Sequence, residues 1–407
     1  MPGIPPDAHY IQPLHNHGPY SLDPNAPRPN LFLITVDMIP PEAYRRDGYR
    51  DVMQTPNLDR LQSGSVTFAN AFTTSPLCGP SRAATMTGRY AYMTVNEERA
   101  HDGHAYHLRA DDIVFPEYLR SAGYATRHVG KCHVGAAKFM DAFGENDHPW
   151  NRWAPPLHDD DEYHQYLESL GVEGWRFTRE IRGLRADRRT PGNHYGGWVE
   201  QENGRPFPLE ATYPYFLAVR AARTLKTLRR RTGHGRPIYL QLDFFAPHQP
   251  FVIPGGMEER EAALRAAIEL PDSYRDLAAN DFAPPEGEPK IYQTYRRSAG
   301  LYDAETVTDY IVANLLQTEV IDRALGVFLD TMHEEGIADD SLTVFCADHG
   351  EMNGERALMD KGVYAHPKVT RVPLMIRCPQ QTSAGREIET PVSLLNLCPT
   401  LLGLAGI

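Results

Sequence analysis

The sequence predicts an α/β fold built on a central, mostly parallel sheet with helices on both faces. Two observations carry this expectation. Four short apolar runs of strand length each end in, or just before, a residue of metal-binding or acid–base character. Helical patterns lie between these runs, and strands alternating with helices form parallel sheets.

The first run, Leu31 to Val36 (LFLITV), stops at Asp37. A helical pattern covers Ile113 to Ser121. Tyr124 to Val129 then leads into Gly130, Lys131, Cys132 and His133. A second helix is expected over Pro214 to Arg231, before Pro237 to Phe245 (PIYLQLDFF) and the turn Ala246, Pro247, His248. A third, Thr306 to Glu335, precedes Ser341 to Ala347 (SLTVFCA), which ends at Asp348 and His349. In open α/β sheets the ligand crevice lies outside the carboxyl ends of the strands. Four separate segments therefore deliver polar side chains to one sheet edge. Residues 141–235 and 252–300 are less regular. They hold all four tryptophans (Trp150, Trp153, Trp175, Trp198), an acidic run from Asp159 to Glu162 and the basic run Arg229 to Arg231. They read as pocket-shaping insertions, and the charge runs as solvated faces. The expected organisation is an N-terminal extension, 1–29, and one catalytic domain, 30–407.

Composition narrows the function. The 407 residues carry a formal net charge of -12, which argues against nucleic acid as a partner. A small anion is compatible with it, because the field inside a pocket can oppose that of the whole molecule. Residues 1–30 have neither an apolar core nor a basic start, so no signal peptide is read there. No apolar run approaches the ~20 residues of a membrane span. A soluble cytoplasmic protein without membrane or nucleic-acid partners is expected, and a homo-oligomer is compatible with these features. The five cysteines are odd in number and scattered, which fits a reducing compartment rather than a disulfide framework. Cys346, Cys378 and Cys398 sit in or beside apolar runs and read as core.

The sharpest local signal is Cys78-Gly79-Pro80-Ser81-Arg82, followed by Thr87-Gly88-Arg89. Pro80 suits the first turn of a helix, where its missing N–H costs nothing. Cys78 would then stand just before a helix N-terminus, where backbone N–H groups favour an anion. Arg82 follows one turn on. A lone cysteine is ordinarily a core residue; the Pro, Ser, Arg and TGR around this one argue for chemistry.

This pattern resembles the signature of the sulfatase family within the alkaline phosphatase superfamily. Further motifs share the likeness: PNLFLITVD at 29–37, TPNLDRL at 55–61, Gly130-Lys131-Cys132-His133-Val134-Gly135, Pro247-His248-Gln249-Pro250-Phe251, Asp348-His349-Gly350-Glu351 with Lys361, and Arg371-Val372-Pro373-Leu374. The resemblance implies an alkaline-phosphatase-like fold and hydrolysis of sulfate esters. It implies that Cys78 is oxidised by a formylglycine-generating enzyme to formylglycine, whose hydrate attacks a small anionic ester. One hydroxyl takes the sulfuryl group and the other expels it as the aldehyde re-forms. Asp37, Asp348, His349 and the oxygen derived from Cys78 would hold one divalent cation. Calcium is expected, and manganese or magnesium is compatible. Arg82 and Lys131 would stabilise nucleophile and substrate. His133 would take the proton that releases sulfate, while His248 and Lys361 would serve the leaving oxygen.

Two positions depart from the family pattern. Met38 stands where a second acid usually follows the first aspartate, and a thioether is a poor ligand for a hard cation. Related phosphonate monoester and phosphodiester hydrolases have a neutral side chain there, which makes that activity the alternative. A catalytically impaired binding protein is a third reading. The sequence also stops after LLNLCPTLLGLAGI, where family members continue into a C-terminal subdomain, so that subdomain is expected to be missing or truncated. Finally, Asp102, in the loop His101-Asp102-Gly103-His104, is a candidate substrate contact beside the bland reading of a solvated loop.

Overall fold

The computed structural model describes residues 28–44, 48–94, 108–143, 150–185, 187, 189–233, 235–362, 365–379 and 384–407. Asp102 lies outside the described residues. The strands are β1 (Asn30–Asp37), β2 (Val66–Phe68), β3 (Ala71–Phe72), β4 (Ala125–Gly130), β5 (Trp175–Leu184), β6 (Pro191–Gln201), β7 (Ile238–Pro247), β8 (Phe251–Ile253), β9 (Ser341–Ala347), β10 (Arg371–Val372), β11 (Leu374–Arg377), β12 (Glu387–Ile388) and β13 (Val392–Ser393). The main sheet has seven strands in the order β12-β2-β11-β9-β1-β7-β4.

The four strands expected from the sequence form the contiguous block β9-β1-β7-β4, and every pairing within it is parallel. Their residues are buried almost without exception, which is why β1 and β9 read as nearly continuous apolar runs, while β4 and β7 also bury Arg127, His128, Gln241 and Asp243. The two faces are covered by different helices. Phe32 meets Phe328 of the helix Ala304–Glu334 edge-on at 5.7 Å. Leu33 and Thr35, pointing the other way, share a small cavity with Arg82, Thr85 and Met86 of the helix Cys78–Thr87. The long helices Tyr213–Thr232 and Ala304–Glu334 pack on each other and on β7.

Residues 141–235 are more regular than the sequence suggested. They contain the antiparallel hairpin β5–β6, which continues into β8 through the parallel register Gly196↔Phe251. The β5 residues expose most of their charged side chains, so no apolar run announced the strand. β8 begins three residues after His248, so the hairpin is tied directly to the catalytic edge. Gly196 permits this: at φ 109° a Cβ there would lie 2.1 Å from the carbonyl oxygen of Phe251. Gly130 does the same at the end of β4, where φ is 106° and a Cβ would lie 1.9 Å from the Asp243 carbonyl oxygen. Among the described residues no helix is long and apolar enough to cross a membrane. All five cysteines are buried, and no disulfide joins them.

Candidate active site

The carboxyl ends of β1 and β9 and the start of one helix meet at a single point. Asp37 is the last residue of β1, Asp348 and His349 follow β9 directly, and Cys78 is the first residue of its helix. Each of these four residues offers a ligand atom within 4.8 Å of the others, and all four are buried. Cys78 Sγ lies 3.1 Å from His349 Nε2 and 3.7 Å from Asp37 Oδ1. His349 Nε2 is 3.7 Å from the Oδ1 atoms of both Asp37 and Asp348. Its Nδ1–H donates to the Gly350 carbonyl oxygen at 2.8 Å, which turns Nε2 toward the carboxylates. Burial opposes protonation, but Asp348, Cys78 and Asp37 raise the ring to about 9, so a cation would replace the Nε2 proton. Ser81 fixes the helix start by donating its hydroxyl to the Asp348 carbonyl oxygen at 2.5 Å.

The other carboxylate oxygens take cations. Arg82 Nε donates to Asp348 Oδ2 at 2.8 Å, and its Nη2 lies 3.5 Å from Asp37 Oδ2. Lys131 Nζ donates to the same Asp37 oxygen and, at 2.9 Å, to the Trp153 carbonyl oxygen. Each carboxylate thus gives one oxygen to a basic side chain and turns the other toward His349 and Cys78. Two hard oxygens and an oriented imidazole fit a divalent cation, with Asp37, Asp348, His349 and the side chain of residue 78 as its holders. The charges act on one another strongly. Burial alone would raise the Asp37 carboxyl, but Lys131, with Arg82 and His349, holds it well below the usual carboxylate range. Burial and Asp37 push the Cys78 thiol up; Lys131, Lys361 and His349 outweigh them and bring it down to about 6. Burial and the neighbouring Asp37 raise the Asp348 carboxyl.

A second pair stands beside this cluster. His248 donates Nδ1–H to the Gln249 carbonyl oxygen at 2.7 Å, so its Nε2 accepts a hydrogen bond from Lys361 Nζ. Burial and the Lys361 ammonium hold the imidazole neutral, well below its ordinary pKa. Asp360 anchors Lys361 at 3.1 Å and accepts from Gln249 Nε2 at 2.9 Å. The result is an ammonium and a neutral imidazole that share one proton position, suited to protonating a departing oxygen.

Met38 connects the two halves. Its side chain is fully buried, its sulfur lies 3.8 Å from Lys361 Nζ, and its N–H donates to Asp348 Oδ1 at 3.3 Å. The sulfur therefore contacts the lysine that stands beside the ligand cluster. Its φ of 61° is a conformation that aspartate adopts more readily than methionine. Met38→Asp is accordingly expected to place a carboxylate between Lys361 and the cation site without backbone strain. Calcium affinity, read by titration calorimetry, should rise roughly tenfold, the equivalent of ~1.4 kcal/mol. Unchanged affinity with a lower melting temperature would mean that the new carboxylate is merely buried.

His133, buried and held at φ 54°, does not join the ligand cluster. It lines an adjoining groove with Asn151, Trp153, Trp175, Phe177, His194 and Pro250, about 460 Å³ in volume. Trp153 also leans on His248, with ring centroids 5.5 Å apart. The hairpin thus supplies one wall of the site. Asp243 and Asp360 were missed by sequence reasoning, while Trp153 lies in the insertion read as pocket-shaping. Asp243 carried a signal: a carboxylate inside an apolar run read as a buried strand.

A family model described as Sulfatase matches residues 29–407. Among curated proteins, the choline-sulfatase of Rhizobium meliloti (strain 1021) is 29% identical over 394 residues, covering 93% of this chain and 68% of that protein. The uncharacterized sulfatase YidJ of Escherichia coli (strain K12) is 26% identical over 363 residues, covering 87% of this chain and 63% of that protein. The chain therefore spans about two thirds of the length of these relatives. Among solved structures, the phosphonate monoester hydrolase SpPMH from Silicibacter pomeroyi superposes with a TM-score of 0.68 at 22% identity, covering 93% of this chain and 73% of that one. That likeness concerns the fold. A match from residue 29 to the last residue means that this chain belongs to the sulfatase family.

Proposed function

We propose that this protein hydrolyses sulfate esters, with formylglycine made from Cys78 as its nucleophile and a divalent cation, calcium before manganese or magnesium, as its cofactor. The observation that carries the reading is the position of Cys78. It stands at a helix N-terminus, 3.1 Å from His349 Nε2 and beside Asp37, within the family's signature. When bound, the cation supplies Lewis acidity toward the nucleophile and the ester oxygens. The chain's own residues do the rest. Arg82 and Lys131 hold the anionic ester against a protein of net charge -12. Lys361 and His248 protonate the departing alcohol oxygen, and the groove beside Trp153 receives the alcohol. His133, which lines that groove, takes the proton whose loss re-forms the aldehyde and frees sulfate. A formylglycine-generating enzyme is the partner this maturation requires.

Met38 favours one competing reading, hydrolysis of phosphonate monoesters or phosphodiesters, since it removes an acid from the cation's surroundings. A side-by-side assay of 4-nitrophenyl sulfate and a nitrophenyl phosphonate monoester, on protein carrying formylglycine and calcium, decides between them. The expected result is a kcat/KM at least about tenfold higher for the sulfate, ~1.4 kcal/mol of preferential transition-state binding. The opposite ratio assigns the phosphonate activity. Turnover of neither points to a binding protein.

A further inference from the structure

Behind Arg82, away from the ligand cluster, β4 and β7 bury a second polar chain. The Tyr239 hydroxyl donates to Gln241 Oε1 at 2.6 Å, and Gln241 Nε2 donates to Asp243 Oδ2 at 2.7 Å. His128 Nε2 lies 2.8 Å from the same carboxylate oxygen. The other oxygen, Asp243 Oδ1, pairs by charge with Arg82 Nη1 at 3.5 Å without a hydrogen bond, while Nη1 itself donates to the Lys131 carbonyl oxygen at 3.0 Å. Tyr239, Gln241, Asp243 and His128 are all nearly fully buried. The parallel register sets His128 against Gln241 and Gly130 against Asp243. Phe139 holds the His128 ring edge-on at 4.5 Å.

Such a chain is expensive in the interior of a sheet, because buried polar groups lose their hydration. Its geometry indicates what it does. Arg82 touches three carboxylates: Asp37, Asp348 and Asp243. The first two belong to the ligand cluster, and a cation there competes for their charge and repels the guanidinium. Asp243 is the one counter-charge of the three that lies outside the cluster. We propose that Asp243, oriented by His128 and Gln241, is a positioning residue that holds the Arg82 guanidinium in place independently of the cation, so that it meets the substrate anion in a fixed orientation. The role assigned to Arg82 rests on the sulfate-ester reading above; the pairing itself does not.

The sign of one measurement separates this role from a simple charge effect. Removing a negative charge near the site would, by Coulomb attraction alone, tighten an anionic ester and lower KM. Loss of positioning loosens it. Asp243→Asn is therefore expected to raise KM for 4-nitrophenyl sulfate by about tenfold, with a smaller fall in kcat, because displaced contacts cost rate steeply. His128→Phe, which fits the aromatic surroundings and leaves Asp243 in place, should shift KM the same way by a smaller factor. In an Arg82→Lys background neither change should add to the loss. An unchanged or lower KM in Asp243→Asn, or effects that persist in full in the Arg82→Lys background, would overturn the proposal. If Asp243→Asn does not fold, His128→Phe carries the test by the same criteria. If the wild-type protein, loaded with calcium and carrying formylglycine, turns over neither ester, the functional reading has failed. The same cycle read in melting temperature then decides the pairing: additive losses for Asp243→Asn or His128→Phe with Arg82→Lys overturn it, and non-additive losses support it.

Discussion

Cys78→Ala is expected to lower turnover of a sulfate ester by at least about 10⁴-fold, ~5.5 kcal/mol of lost transition-state stabilisation. The protein should keep its fold, while its cation affinity falls, because residue 78 is one of the four holders. Cys78 is buried, yet it is a small side chain at the first turn of a helix. The neighbouring Ser81 and Arg82 contacts that fix that helix to Asp348 do not involve it. What disappears is the only oxygen nucleophile that this reading provides. Cys78→Ser makes the more informative companion. A serine hydroxyl can accept the sulfuryl group, but it lacks the second hydroxyl that expels it. One equivalent of ester should be consumed and the chain left sulfated at position 78, detectable as a burst followed by arrest. Steady turnover by either variant would remove Cys78 from the chemistry.

The second large effect is expected for Asp348→Asn. Its carboxylate gives Oδ2 to Arg82 at 2.8 Å and turns Oδ1 toward His349 Nε2 at 3.7 Å. Calcium affinity should fall by about 10–100-fold or more, and activity with it. The stability argument has the opposite sign. Burial and Asp37 push the Asp348 carboxyl above its ordinary pKa, so its ionised form is disfavoured by folding at neutral pH. That penalty applies above the unfolded pKa and fades as pH falls through the folded one. Loss of the buried Arg82 ion pair works against that gain, so the cation-free variant is expected to melt within a few degrees of the cation-free wild type at neutral pH. What it loses is the rise in melting temperature that calcium confers, ~2.7 kcal/mol at a hundredfold excess over Kd. Paired thermal melts with and without calcium check this. A variant that melts lower without calcium, yet gains as much from it as the wild type, would place Asp348 in a structural role instead.

Most of the sheet could be read from the chain because both of its faces are covered. Burial on two sides writes a strand such as Leu31–Val36 as an uninterrupted apolar run, and the run stops where the strand reaches the site. The hairpin β5–β6 gave no such signal: with one side exposed and charges along β5, its pattern does not differ from that of a loop. The motif residues Asp37, Cys78, Arg82, Lys131, His248, Asp348, His349 and Lys361 were legible through the family resemblance, and Asp37, Cys78, Lys131, His248, Asp348 and His349 also because each begins, ends or follows a strand or helix. Asp243 and Asp360 were not, because their importance lies in what they touch across the sheet: Arg82 in one case, Lys361 and Gln249 in the other. Sequence spacing does not encode such contacts. Met38 was legible as a departure, but its direction was not; only the 3.8 Å contact with Lys361 gives it.

The most direct test is the mass of the tryptic peptide containing Cys78, taken from active protein produced together with a formylglycine-generating enzyme. The account predicts that the thiol has been replaced by an aldehyde, which hydrazide reagents trap, and that the fraction converted tracks specific activity across preparations. Full activity from protein in which Cys78 remains an unmodified thiol would contradict it.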